Sequence, residues 1–221
     1  MAITKKEVVA AHMHVGNLKK FASTKTRLFW LEMSQGLVVL KPDKIVTALD
    51  AAKEKFLQAK KDGKEVLILC EKTLMADEIP ALAKAHGFHY MNYKVPAGFL
   101  TNFDTLITRI TGMNQLQSFT ENEDFNKLTK KEQLTTKRKL LKVQHIYEGV
   151  KNLRKKPDLV IVVDGKAMMK FVKELKKLDL DSIVLAGTNF DTRRPEDRLV
   201  VLNVDAYQSV KQALHYILGA E

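Results

Sequence analysis

Two histidines near the start of the chain are the first residues whose spacing would suit a metal site. His12 and His14 are one residue apart, so an extended segment could present both imidazoles to one ion. Zinc sites need three or four ligands, and no further histidine or carboxylate stands immediately beside this pair. We therefore expect no metal here and interpret both side chains as packed or RNA-facing. Cys70 is the single cysteine, which excludes an intrachain disulfide and a cysteine-based zinc site.

Acid–base chemistry is poorly marked in the sequence. His86 and His89 stand at the expected end of a helix, and a general base there would need a nucleophile or an acid partner that the sequence does not mark. Asp164 follows a strongly apolar run and could hold a metal or a ribose. The turn after it has one glycine, Gly165, whereas phosphate-binding loops need several. We favour structural histidines and a plain turn at the end of a strand, and we expect no catalytic residue and no cofactor.

A polar loop over residues 188–195 follows a buried apolar segment, which is where α/β proteins often carry functional surfaces. Its adjacent arginines, Arg193 and Arg194, suit phosphate because one guanidinium can bind two phosphate oxygens. Asp191 and Glu196 could instead balance them in a solvated turn. Phosphate contact is the favoured interpretation.

A second cationic group precedes the first predicted strand. It contains four basic residues, Lys19, Lys20, Lys25 and Arg27. The aromatic residues among them are Phe21, Phe29 and Trp30. This combination suits RNA, because cations neutralise phosphates and aromatic rings stack on unpaired bases. The aromatic residues could equally belong to the core, and both interpretations stay open.

The charge of the chain is concentrated in one segment. The formal net charge is +11, with a calculated pI of about 9.6, so the molecule should be drawn to polyanions. Between residues 125 and 156 the acidic residues are Glu132 and Glu148, and the basic ones are Lys127, Lys130, Lys131, Lys137, Arg138, Lys139, Lys142, Lys151, Arg154, Lys155 and Lys156. A solvated helix face usually mixes both signs. This imbalance predicts contact with a polyanion or with an acidic protein partner.

Short apolar segments alternate with helical patterns over most of the chain. The predicted strands are residues 36–40, 65–70, 157–164, 182–186 and 199–202, and the predicted helices between and after them begin near residues 42, 75, 167 and 206. Such alternation implies βαβ units. We predict an α/β fold with a doubly wound, mainly parallel sheet flanked by helices.

The middle of the chain departs from this alternation. Apolar residues spaced by four and three residues predict one helix with a coiled-coil seam, at Phe99, Phe103, Leu106, Ile110 and Met113. Thr101 and Asp104 fit a capping box at its start. A second helix over residues 129–153 has one apolar stripe, at Leu140, Val143, Tyr147 and Val150. We expect an antiparallel α-helical hairpin at residues 99–156, inserted into an α/β body formed by residues 1–98 and 157–221.

Composition restricts the class of protein. A hydrophobic content of 45% argues against a wholly disordered chain. The longest apolar runs span only a few residues, against the roughly 20 that a membrane helix requires. The first eleven residues have no apolar core of a signal peptide, so we expect a cytoplasmic protein.

Taken together, these residues resemble the bacterial and organellar small-subunit ribosomal protein S2 family. Residues 12–16 resemble the family's H-x-G element, and residues 97–102 resemble its G-G-x-L-T-N signature. Residues 125–132 resemble its hairpin phrase, 157–164 its central strand and 188–191 its T-N-x-D loop. The resemblance extends from about residue 8 to residue 218.

The resemblance implies a structural role. A member of the family would have an α/β body with an inserted helical hairpin, and would bind ribosomal RNA at the head–body junction of the small subunit. It would contact neighbouring small-subunit proteins and help to dock the large messenger-binding protein. The implied location is the ribosome, cytoplasmic or organellar. We expect no membrane association and no homo-oligomer.

Three groups of residues are expected to contact RNA. Near the start of the chain they are His14, Gly16, Asn17, Lys19, Lys20, Lys25 and Arg27. At the hairpin base they are Lys94, Gly98, Thr101 and Asn102. In the polar loop at residues 188–195, called the late loop below, they are Asn189, Arg193 and Arg194. The cations would neutralise phosphates, and the small and polar residues would permit close approach and hydrogen bonding to sugar and phosphate.

The chain departs from the family pattern at some of these positions. Lys94 and Val95 stand where the family usually has Arg-Trp, and Gly98 is a single glycine instead of a pair. Asn17 stands where histidine is common. These departures put single RNA contacts in question. The alternative function is a nucleotide-dependent enzyme using Asp164 and residues 188–194, and the missing glycine-rich loop counts against it.

Overall fold

The computed structural model describes residues 3–191 and 199–219, which contain eight α-helices and eight β-strands. The first half contains α1 (Lys5–Ala10), β1 (Val15–Leu18), β2 (Trp30–Ser34), β3 (Leu37–Leu40), α2 (Pro42–Lys61), β4 (Val66–Cys70), α3 (Glu78–His86) and β5 (His89–Met91). The second half contains α4 (Phe103–Thr120), α5 (Glu123–Asn126), α6 (Lys130–Tyr147), β6 (Leu159–Val163), α7 (Met169–Lys177), β7 (Asp181–Ala186), β8 (Leu199–Val201) and α8 (Tyr207–Leu218).

The central sheet has five parallel strands in the order β5-β4-β6-β7-β8. Every residue of β4 and β6 is buried, which explains why both segments are continuous apolar runs with many β-branched residues. Helices cover both faces of the sheet. The predicted α/β class and parallel sheet are confirmed.

The first predicted strand belongs to a different sheet. Residues 37–40 form β3, the middle strand of a small antiparallel sheet in the order β1-β3-β2. Their assignment to the βαβ alternation was therefore wrong, and β1 and β2 were not predicted. Both strands are short, β1 is mostly half-buried and β2 is mostly exposed, so neither has a clear apolar pattern. The cationic segment at residues 19–29 forms 3₁₀ turns between β1 and β2, and does not precede the first strand.

Alternate residues of the parallel strands face two hydrophobic clusters. On one face Ile68 and Ile161 pack with Phe56 of α2 and Leu214 of α8. On the other face the sheet packs against α7 and the helical hairpin. The side chains of Leu67, Leu69, Val160 and Val162 lie in this second cluster. Because a strand's successive side chains point to opposite faces, each buried strand supplies both clusters.

The helical hairpin consists of α4 and α6, joined through the short α5. The predicted seam is buried, at Phe99, Phe103, Leu106, Ile110 and Met113. It continues the apolar cluster on the sheet, and the rings of Phe99 and Phe171 meet edge to face with centroids 6.0 Å apart. Apolar contact therefore anchors the base of the hairpin to the body.

Two details of the hairpin differ from the prediction. The first helix begins at Phe103 after Asn102, with no side-chain cap, so the capping box predicted at Thr101 and Asp104 was wrong. A capping box is present at the start of α6, where Thr129 and Glu132 bond reciprocally. The second helix ends at Tyr147 and is followed by a 3₁₀ turn at Glu148–Val150.

Cys70 is the last residue of β4 and is fully buried. Burial disfavours the thiolate and raises the pKa of the Cys70 thiol to about 11. The side chain is thus a packed, unreactive thiol. Within the two described ranges, no helix has the length and apolar character required to cross a bilayer.

Candidate nucleic-acid interface

One edge of the parallel sheet brings together residues from distant parts of the chain. Lys72 follows β4, Lys94 follows β5 and Asp164 follows β6. Asn189 and Asp205 follow β7 and β8. Parallel strands end at the same edge, where α/β proteins commonly bind ligands. We call this side of the molecule the carboxyl edge.

The N-terminal segment is bound to the carboxyl edge through Thr188. The backbone N–H of Asn17 donates to the Thr188 hydroxyl at 2.8 Å, and that hydroxyl donates to Asn17 Oδ1 at 2.9 Å. The backbone N–H of Ser23 donates to the Thr188 carbonyl at 2.8 Å. These bonds fix the segment that carries the four predicted RNA-binding cations beside the loop that carries Asn189.

Gly16 is required by this packing. A Cβ atom at Gly16 would lie 2.7 Å from Thr188 Cγ2 and 2.9 Å from the carbonyl oxygen of Val38, both closer than real Cβ contacts. The glycine therefore permits close approach of β1 to the late loop. This structural requirement is independent of any contact that Gly16 makes with RNA.

The buried side chain of Thr26 also holds the cationic N-terminal segment in place. It is fully buried, and its hydroxyl lies 2.8 Å from the Ser23 carbonyl and 3.0 Å from the Thr188 carbonyl. It also accepts a hydrogen bond from Trp30 Nε1 at 3.0 Å. One side chain thus connects the cationic segment, β2 and the late loop.

Replacing Thr26 with valine, which has the same shape, tests this connection. The Trp30 N–H and the Thr188 carbonyl would each lose a partner, so we expect the free energy of unfolding to fall by about 1–3 kcal/mol. Urea denaturation monitored by Trp30 fluorescence measures the change. Thr26→Ser keeps the hydroxyl and is the control, and equal losses in the two variants would contradict the role of these bonds.

The cations of the segment are exposed, as an RNA-binding role requires. Lys19, Lys20 and Arg27 are all exposed, and Lys25 is exposed beside Asp191, with Nζ and Oδ1 2.5 Å apart. Phe21 is 62% exposed, and the Lys20 ammonium lies 4.8 Å from the centre of its ring.

The core interpretation applies to only part of the aromatic group. Phe29 and Trp30 are partly buried against the core cluster of α2 and α8, and so they are packing residues. Phe21 remains on the surface beside the cations, where its ring is accessible to a base.

A second group of predicted residues lies on the hairpin-base loop, defined as residues 94–102. Lys94, Thr101 and Asn102 are exposed. Gly98 has a φ of +78°, a conformation that glycine adopts without strain. The backbone N–H of Asn102 donates to the Gly98 carbonyl at 2.7 Å, which closes the turn that leads into α4.

Carboxylates from the body hold this loop. Glu174 of α7 accepts hydrogen bonds from the backbone N–H groups of Gly98 and Leu100, at 2.7 and 3.2 Å. Glu71 accepts one from the N–H of Val95 at 2.7 Å. Neither glutamate was predicted from the sequence. The separation of 76 residues between Gly98 and Glu174 leaves no local pattern that could have indicated their contact.

The remaining predicted site residues are partly buried, exposed or outside the described residues. His14 and Asn189 each have a buried side-chain atom with no hydrogen-bond partner among the described residues, His14 Nδ1 and Asn189 Oδ1. Arg193 and Arg194 lie outside the described residues. His12 is exposed, and the described part of the chain contains no group of three or more residues that could hold a metal ion.

Asp164 occupies the point at which the strand order reverses, between β4 and β6. Its Oδ1 accepts from the N–H groups of Lys166 and Ala167, both at 3.1 Å, and its Oδ2 lies 3.0 Å from Lys72 Nζ. Burial lowers the pKa of Lys72, but hydrogen bonds to Asp205 and Asp164 outweigh it and raise that pKa, so the ammonium stays charged. Both oxygens of the Asp164 carboxylate therefore bind groups of the protein itself, in the turn after β6 and at Lys72.

The helical hairpin carries many basic side chains on its surface. Between α5 and the middle of α6 the basic side chains are exposed, at Lys127, Lys130, Lys131, Lys137, Arg138, Lys139 and Lys142. Lys127 pairs with Asp124 at 2.6 Å. Phe125 and Leu140 are the buried apolar residues of this part, so most of its surface faces outward.

Comparison with known proteins gives a consistent assignment. A family model described as ribosomal protein S2 matches residues 8–220. The small ribosomal subunit protein uS2 of Coprothermobacter proteolyticus is 31% identical over 95% of this chain and 78% of its own length. The protein uS2 of Dictyoglomus thermophilum is 31% identical over 95% of this chain and 85% of its own length. The protein uS2c of Mesostigma viride is 30% identical over 92% and 89%, respectively.

Proposed function

The chain belongs to the ribosomal protein S2 family and is a structural, non-enzymatic constituent of the small ribosomal subunit, and on this basis we propose that its carboxyl edge binds ribosomal RNA at the head–body junction. It associates with small-subunit ribosomal RNA and with other ribosomal proteins, and it is located in the ribosome. The observation that supports the proposed interface is the gathering of exposed cations from the N-terminal segment and the hairpin-base loop beside one edge of the sheet.

The chemistry of this edge suits a folded RNA. Lys19, Lys20 and Arg27 are exposed and held on a segment that is hydrogen-bonded to the body, so phosphate binding costs little ordering of the backbone. Asn17 and Asn189 provide amide groups beside them. Such a surface recognises the backbone and its shape and needs few contacts with base edges.

The helical hairpin carries a separate proposal. Residues 99–156 act as an inserted element on a body formed by residues 1–98 and 157–221. Its exposed basic surface would contact further RNA or an acidic face of a neighbouring small-subunit protein. Docking of the large messenger-binding protein, a cytoplasmic ribosome, a monomeric chain and the absence of membrane contact are proposals of the same kind.

The salt dependence of binding tests the proposal. Small ribosomal subunits lacking this protein would be titrated with the labelled full chain at several salt concentrations. We expect a log–log slope of several units, since each phosphate contact contributes roughly 0.7–0.9. Crosslinks from the bound protein should start at Lys19, Lys20, Arg27 and Lys94. A flat salt response, or crosslinks restricted to the opposite edge of the sheet, would exclude the proposed interface.

A further inference from the structure

Two carboxylates hold the hairpin-base loop in place beside the proposed RNA-binding cations. We propose that Glu174, assisted by Glu71, is a positioning residue for RNA binding, because it fixes the loop in the shape that presents Lys94, Thr101 and Asn102. This inference rests on the proposed function of the carboxyl edge. It assigns to Glu174 a role through the backbone and no contact with RNA.

Three hydrogen bonds to carboxylates tie the backbone of the loop to the body. The half-buried Glu174 carboxylate accepts from two N–H groups, at 2.7 and 3.2 Å, and Glu71 accepts from a third at 2.7 Å. Hydrogen bonds to an ionised acceptor are stronger than neutral ones. The loop is thus tied near its start at Val95, at its centre at Gly98 and in its second half at Leu100.

Without these bonds the loop has reason to move. Gly98 has access to more backbone conformations than other residues, and its φ of +78° is one of several that it can adopt. Replacement of Glu174 by glutamine would leave one neutral acceptor oxygen for two backbone N–H groups, so at least one of them would lose its partner. RNA binding would then have to order the loop, and that cost would weaken affinity.

Because Glu174 is charged, the direction in which RNA affinity changes on its neutralisation tests the inference. A carboxylate near bound RNA repels phosphates, so its neutralisation alone would strengthen binding. Loss of positioning would weaken binding. The structure predicts that the second effect is larger, because Glu174 is half-buried and both of its oxygens bond the loop.

The experiment uses the full chain and small ribosomal subunits that lack this protein. We expect Glu174→Gln to bind roughly five- to tenfold more weakly than the unmodified chain. Its salt slope should not change, since no phosphate contact is removed, whereas Lys94→Ala should lower that slope by about one. Backbone amide exchange of the peptide over residues 94–102 should be faster in Glu174→Gln.

Matched variants complete the test. Glu54→Gln removes the same charge from an exposed position on α2 and should leave binding unchanged. Glu174→Asp keeps the charge and should lie between Glu174→Gln and the unmodified chain. If circular dichroism shows that Glu174→Gln is unfolded, Glu71→Gln carries the same expectation from an exposed side chain.

The outcomes separate this inference from the proposed function. Binding by Glu174→Gln that equals or exceeds that of the unmodified chain would overturn the positioning role while leaving the interface intact. An unmodified chain that does not bind the subunits in a salt-dependent manner would overturn the proposed interface itself.

Discussion

Simultaneous replacement of Lys19, Lys20 and Arg27 by alanine is expected to weaken binding to small ribosomal subunits by on the order of 10²-fold near 0.1 M salt. The three side chains are exposed, and their loss would remove about three neutralised phosphates. The slope of log affinity against log salt should therefore fall by about three. Filter binding over a range of salt concentrations measures both quantities.

The control must remove the same charge from another place. Lys60, Lys61 and Lys84 are exposed at the ends of α2 and α3, which lead into the opposite edge of the parallel sheet. Their replacement by alanine should change affinity by no more than a few fold. Equal losses from both triple variants would mean that net charge, and not the carboxyl edge, determines RNA binding.

Gly149→Ala should have the largest effect on stability. A Cβ atom there would lie 2.2 Å from the carbonyl oxygen of Tyr90 and 2.7 Å from atoms of its ring. The 3₁₀ turn after α6 could no longer pack against β5, and overpacking of this kind costs about 1–3 kcal/mol or more. We expect the melting temperature to fall by roughly 2–12 °C in thermal denaturation.

Gly112→Ala gives the opposite sign and serves as the control. Gly112 lies inside α4, and a Cβ there would have no atom within 4 Å. Alanine in a helix interior is favoured over glycine by about 0.5–1 kcal/mol, so the melting temperature should rise by a few degrees. If both variants were equally stable, the close approach of Gly149 to Tyr90 would not limit the packing of the hairpin.

Local apolar patterns were sufficient to predict the layered body and the hairpin seam. β4 and β6 are buried on both faces, so each appears in the sequence as an uninterrupted apolar run. The seam of α4 was equally visible, because every buried position follows a helical spacing. Here the requirement for burial determines the residue type directly, and the pattern survives without knowledge of the partner.

The parts that were missed depend on contacts between distant residues. β1 and β2 gain their strand geometry from pairing with β3, and neither strand has a fully buried residue. The role of Thr188 in fixing Asn17 depends on a separation of 171 residues. The Thr101–Asp104 pattern fitted a capping box, but the turn closed by Gly98 and Asn102 starts the helix later.

The candidate site was predicted by residue type and corrected by environment. Lys19, Lys20 and Arg27 are exposed, as contact with RNA demands, and their contact with RNA stays a prediction. The need for glycine at position 16 is explained by its close approach to Thr188. Glu174 belongs to the site because it accepts hydrogen bonds from the backbone of the hairpin-base loop. Polar contacts of this kind produce no periodic pattern in the sequence, because a single side chain is enough to make each of them.

The bond between Asn17 and Thr188 has a consequence for the order of biosynthesis. The cations that follow Asn17 are translated well before Thr188, whose hydroxyl and carbonyl fix their segment and which lies 171 residues after Asn17. A growing chain would hold them on an unanchored tether until Thr188 has emerged and β7 has joined β6. Truncated products of interrupted translation should therefore lack a complete carboxyl edge. They should compete poorly with the full chain for assembly into new ribosomal subunits.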